Sequence, residues 1–101
     1  MDVSFDSARL AALCGSGTQM AAAWGITTGR LVGRRLLDLR AVSADALGRL
    51  PATTVETDGS GQTTITFADV TICGRIDVGQ SAVDADQLVI TSIEIEKSQS
   101  R

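Results

Sequence analysis

The residues best placed to do chemistry on a phosphate lie in the second half of the chain. Read with a period of two, Val70, Ile72 and Ile76 share one strand face with Gly74, and Arg75 shares the other with Thr71 and Cys73. An arginine there can fork onto a phosphate; equally, it can be a solvated residue on a polar sheet face. Lys97 is the single lysine and stands beside Gln99 and Arg101, a second candidate group that a polar chain end explains as well. Glu94 and Glu96 can move protons, but carboxylates alternating with Ile93 and Ile95 read first as the wet side of a ladder. Histidine is absent. Cys14 and Cys73 are far apart with no CxxC spacing, which argues against a zinc site and for two reduced, partly buried thiols. No metal and no cofactor are expected.

These groups need a scaffold, and the stretch that organises it is Thr27–Val42, TTGRLVGRRLLDLRAV. On a 3.6-residue wheel Leu31, Val32, Leu36, Leu39 and Val42 form one stripe, while Arg30, Arg34 and Asp38 descend another side. The spacing predicts an amphipathic helix with one buried face, capped by Thr27 or Thr28, with an Arg34–Asp38 pair adding about 0.2–0.5 kcal/mol. Gly33 inside it predicts close approach by another segment. Arg35 falls in the apolar stripe and is expected to snorkel or to pair with a sheet carboxylate. Arg30 and Arg34 form an exposed row of forked donors, suited to RNA or to a protein partner.

The chain of 101 residues fits a single domain, 1–101. Its net charge of −3 is uneven. Six arginines face four acids up to Pro51 (6 − 4 = +2), and three basic residues face eight acids from Ala52 onward (3 − 8 = −5). An acidic field repels phosphate and argues against nonspecific nucleic-acid binding. No stretch reaches the roughly 20 apolar residues of a membrane span. The opening, MDVSFDSAR, is acidic where a secretory signal is basic, so no membrane association and a cytoplasmic location are expected.

In chain order, Asp2 to Asp6 predicts a short strand, Ser7 to Cys14 a helix stopped at Gly15 and Gly17, and Thr18 to Trp24 a further helical piece ended by Gly25. Met20 and Trp24 read as core contacts. After the main helix comes a short helical turn from Ser43, closed by Gly48 and Pro51. The period then becomes two: Thr53–Thr57, a turn at Asp58-Gly59-Ser60-Gly61, Thr63–Phe67, a tight connection at Ala68-Asp69, the Arg75 strand, a polar loop from Asp77 to Gln87, and Leu88–Glu96. The expected fold class is α+β, an N-terminal strand and helices packed on an antiparallel β-meander.

Several strings in this order resemble the HigB-like host-killing toxins of the RelE/ParE superfamily. MDVSFDSARLAALC resembles their opening strand and helix, GRRLLDLRAVSADALGRLP their arginine-rich second helix, Asp58-Gly59-Ser60-Gly61-Gln62 the turn of their central hairpin, and Ile93-Glu94-Ile95 their last strand. The resemblance implies that family's fold and a toxin of a type II toxin–antitoxin pair, a ribosome-dependent mRNA endonuclease held by a cognate antitoxin. Cleavage of that kind needs a cation at the scissile phosphate and an acid–base pair. The chain departs from the family pattern where those groups belong: Glu56, Thr57 and Asp58 stand before the hairpin turn in place of a lysine, Val70-Thr71 in place of an aromatic-arginine pair, and Lys97-Ser98-Gln99 in place of the closing aspartate-aromatic-histidine. Arg75 and Lys97 remain as catalytic candidates, with Arg30, Arg34 and Arg101 as RNA- or partner-binding residues. The expected activity is weak or absent, and the alternative is a non-catalytic α+β protein-binding module.

Overall fold

A computed structural model describes residues 1–77 and 86–95. Its central element is α3, Ile26–Ala41, in which Val32, Leu36 and Leu39 are buried and Leu31 is partly so. Gly25 both ends the preceding helix and starts this one: its N–H donates to the Ala21 carbonyl (2.8 Å) and its carbonyl accepts from Gly29 N–H (2.8 Å). It does so at φ +89°, a backbone state that side chains disfavour. No side chain caps α3, so Thr27 and Thr28 lie inside the helix rather than at its cap.

Two shorter helices precede it, each opened by a serine. Ser7 Oγ accepts from Leu10 N–H (3.3 Å) before α1, Ala8–Cys14, and Ser16 Oγ accepts from Gln19 N–H (3.2 Å) before α2, Gly17–Trp24. A 3₁₀ helix, Ala44–Arg49, follows α3 and buries Leu47. The strands are β1, Asp2–Phe5; β2, Thr53–Thr57; β3, Gln62–Phe67; β4, Val70–Asp77; and β5, Gln87–Ile95. Glu96 and most of the expected Asp77–Gln87 loop lie outside the described residues.

The strands form one sheet in the order β1-β5-β4-β3-β2. β2 to β5 make the expected antiparallel meander, but β1 adds to β5 in parallel, so the sheet is mixed. No tight turn ties β1 to a neighbour, and its place is set by apolar register: Val3 opposite Leu88, Phe5 opposite Ile90. One face of the sheet carries Ile65, Phe67, Val70, Ile72, Leu88 and Ile90 into a core shared with Val32, Leu36, Leu39, Leu47 and Met20. Burial of each such side chain is worth about 1.5–3 kcal/mol. The other face is open and rich in threonine.

An irregularity keeps β5 in step. Cys73 opposes Ser92 and Gly74 opposes Ile90, so Thr91 is extra. The extra residue reverses the parity of the strand, putting Ile93 and Ile95 on the same face as Leu88 and Ile90. Thr91 Oγ1 secures the bulge by donating to the Cys73 carbonyl (3.2 Å). Gly74 lies against it, where a Cβ would sit 2.5 Å from the Val89 carbonyl oxygen.

In the β2–β3 turn, Asp58 Oδ1 accepts from Ser60 N–H (2.8 Å), Ser60 Oγ (2.7 Å) and Gln62 N–H (3.1 Å). Those bonds, the Ser60 hydroxyl's first, hold its carboxyl below the ordinary carboxylate value.

Close approach within the helical layer falls at Gly29, not Gly33. A Cβ on Gly29 would meet the Met20 carbonyl carbon and the Ala21 nitrogen at 3.0 Å, backbone atoms with no room to move. One on Gly33 would meet only the Met20 Cε, at 3.4 Å. The two glycines therefore respond oppositely to alanine. Gly29→Ala is expected to destabilise by about 1–3 kcal/mol through overpacking. Gly33→Ala is expected to leave stability unchanged or raise it by up to about 1 kcal/mol through helix propensity. Urea unfolding of both variants checks the crossing point, and equal effects would place it wrongly.

Candidate functional site

α3 carries a second stripe beside its buried one. Ile26, Arg30, Gly33, Leu37 and Arg40 recur at three- and four-residue steps, with Arg34 adjacent. They face a groove of about 810 Å³ whose other wall comes from Cys14, Gly17, Thr18, Met20 and Ala21. The small residues of α2 let the wall stand back, while the Gly29 crossing brings the two helices together beneath it.

Its lining has two characters. Ile26 (65% exposed) and Leu37 (64%) are the exposed large hydrophobic residues among those described. Arg30, Arg34 and Arg40 line the same groove. Among the described residues the ion pair found is Arg35 with Asp38, at 3.4 Å, so the three groove arginines are left to solvent or to a ligand. The expected Arg34–Asp38 pair is thus made by Arg35 instead. Arg35 pairs on its own helix rather than with a sheet carboxylate, donates to the Pro51 carbonyl (3.3 Å) and covers the Phe67 ring at 5.0 Å. The i, i+3 partner wins because the Arg35 side chain leans toward the sheet, where Phe67 holds it.

Cys14 lies at one end of the groove as a half-buried free thiol. Burial raises its pKa above the ordinary thiol value, and the nearby Arg40 charge opposes that shift. Cys73, also free, stands on the open sheet face.

Of the residues picked out by sequence, Arg30 and Arg34 come together on the groove. Arg75 is exposed on the open sheet face, opposite Gln62 and Val89. It is separated from the groove by the sheet itself. Glu94 shares that face but lies opposite Thr71, four residues along the β4 register from Arg75 and so roughly 14 Å away. Lys97 and Arg101 lie outside the described residues. Among the described residues no group of three or more His, Cys, Asp or Glu side chains could hold a metal ion, and no helix is long and apolar enough to cross a membrane.

Sequence reasoning missed Ile26, Leu37 and Arg40. Their signal was present: Leu37 falls off the core stripe, seven residues after Arg30 and three before Arg40, on the side that the arginines mark. No family model, curated protein or solved structure matches the chain.

The thiol offers a check on the groove. Cys14 is expected to react with a disulfide reagent at neutral pH several-fold more slowly than a free cysteine, because little of it is thiolate. Arg40→Ala, which removes the charge that lowers its pKa, should slow it further. Cys73→Ser isolates the Cys14 signal, and faster reaction in the Arg40 variant would contradict the placement of that charge.

Proposed function

We propose that this chain is a partner-binding module whose α2–α3 groove takes an amphipathic helix bearing carboxylates at one-turn spacing. The observation that carries this reading is the coincidence, along one wall of the groove, of two exposed large hydrophobic residues with three arginines. An apolar surface alone is covered by anything apolar. Arg30 and Arg34, one turn apart, add a register, since each guanidinium can donate to a carboxylate in forked geometry. The +2 charge of the segment up to Pro51 favours an acidic visitor on this side of the molecule, while the acidic remainder disfavours nucleic acid.

The resemblance to HigB-like toxins supplies a class of partner, a cognate antitoxin, and in that setting the chain acts as the toxin-like component of a type II pair. A ribosome-dependent mRNA endonuclease would draw on Arg75 and Lys97, and Arg75 stands on the open sheet face, away from the groove. Binding without catalysis is the better supported reading.

The test is selection from a display library of helical peptides, carried out on the intact chain. Enriched sequences should carry Asp or Glu at i and i+4 beside Leu, Ile or Met, and Arg30→Glu with Arg34→Glu should weaken the best of them by roughly tenfold or more, with an unchanged circular dichroism spectrum. Enrichment without acidic residues, or binding indifferent to the double substitution, would overturn the proposal.

A further inference from the structure

The hydrogen-bond parity of the sheet leaves its last strand with unpaired main-chain groups. Ile76 N–H donates to the Gly61 carbonyl (3.2 Å), so Gly61 and Ile76 form a bonded pair. Counting on by two along the register, Thr63, Ile65 and Phe67 turn their main chain toward β4. Gln62, Thr64 and Thr66 therefore turn toward β2. Asp58 N–H, donating to the Gln62 carbonyl (3.0 Å), sets the same parity from the other side. Thr54 and Glu56 bond to β3, and Thr53, Val55 and Thr57 point their N–H and C=O groups away from it. β2 is the outermost strand, and no hydrogen bond joins the outward main chain of Val55 or Thr57 to any described residue.

Exposed edges are ordinarily guarded by lysine, proline, a bulge or shortness. β1, at the other edge, is four residues long, begins at Asp2 and is followed by Asp6, and comes after a Met1 amino group that donates to the carbonyls of Arg40 (3.0 Å) and Val42 (2.7 Å). β2, five residues long, carries one charge, Glu56, but no lysine, proline or bulge. It is continuously paired to β3 from Thr53 to Thr57, and every residue but Glu56 is β-branched.

We infer that β2 pairs antiparallel with β2 of a second copy of this chain, about a two-fold axis at Val55, joining the two sheets into one. The occupant is a second copy because the strand is complementary to itself in this register. Val55 meets its counterpart, Thr53 meets Thr57, and the exposed Thr54 meets Glu56, so no like charges face each other. Val55, partly buried against the rim of the core, gains an apolar neighbour. The pairing uses no residue of the α2–α3 groove and stands apart from the function proposed above.

Sedimentation velocity across a concentration series tests it. The intact chain should show a concentration-dependent monomer–dimer equilibrium. Val55→Pro should be monomeric with an unchanged circular dichroism spectrum, because the N–H it removes points out of the sheet. Thr54→Glu sets two carboxylates side by side at both symmetric positions and should raise the dissociation constant roughly 2- to 30-fold, while Thr54→Lys should lower it over a similar range. Thr54 is exposed on the open face, so these two variants decide the matter even if the proline variant unfolds. A chain that stays monomeric at every concentration would overturn the inference. So would a dimer that responds to neither Thr54 substitution.

Discussion

Everything on the helical side of this protein depends on the backbone-level contact of α2 and α3 at Gly29. Two helices can approach this closely only where one lacks a Cβ, and the 3.0 Å distances to main-chain atoms of Met20 and Ala21 show that a side chain has no room there. Gly25 makes the approach possible by turning the chain between the helices in one residue. With the crossing held, the rotation of α3 about its axis is set. Val32, Leu36 and Leu39 then meet the sheet, and the stripe from Ile26 to Arg40 is left beside α2 as one wall of a groove.

The sheet is subject to a constraint of a different kind. The core side of β5 stays apolar along the strand, yet its apolar residues change parity midway, from Leu88 and Ile90 to Ile93 and Ile95. One extra residue at Thr91 reconciles the two halves, and Gly74 on the neighbouring strand gives the bulge room. The parallel docking of β1 follows, because Leu88 and Ile90 need apolar neighbours on their far side and Val3 and Phe5 supply them.

Much of this architecture is legible in the residue pattern, for identifiable reasons. The period-3.6 stripe of α3 and the period-2 runs of β2 to β5 are local signals, and each element lies within a few residues of its expected place. Three features were not local. The pairing of β1 is decided by a strand more than eighty residues away along the chain. The choice of Gly29 over Gly33 depends on where α2 crosses, which helix periodicity does not specify. Arg35 took Asp38 as its partner because Phe67, distant in sequence, holds the side chain in that direction. The groove was half legible: Arg30 and Arg34 stood out as an exposed row, but the apolar members Ile26 and Leu37 and the third arginine, Arg40, acquire meaning only once α2 is seen beside them. For Arg75 the sequence correctly indicates a polar sheet face, and the fold sets that face on the far side from the arginine row.

The groove sets two exposed large apolar side chains beside three solvated arginines, and an acidic amphipathic helix would cover the first while pairing with the second. The most direct measurement is a residue-by-residue map of amide chemical shifts in the isotopically labelled protein as an acidic amphipathic helical peptide is added. Shifts concentrated at Gly17, Ala21, Gly33 and Leu37, with Thr66 and Thr71 on the open sheet face unmoved, are the result expected if the groove is the docking site. Shifts concentrated on the open sheet face, with the groove amides unmoved, would contradict it.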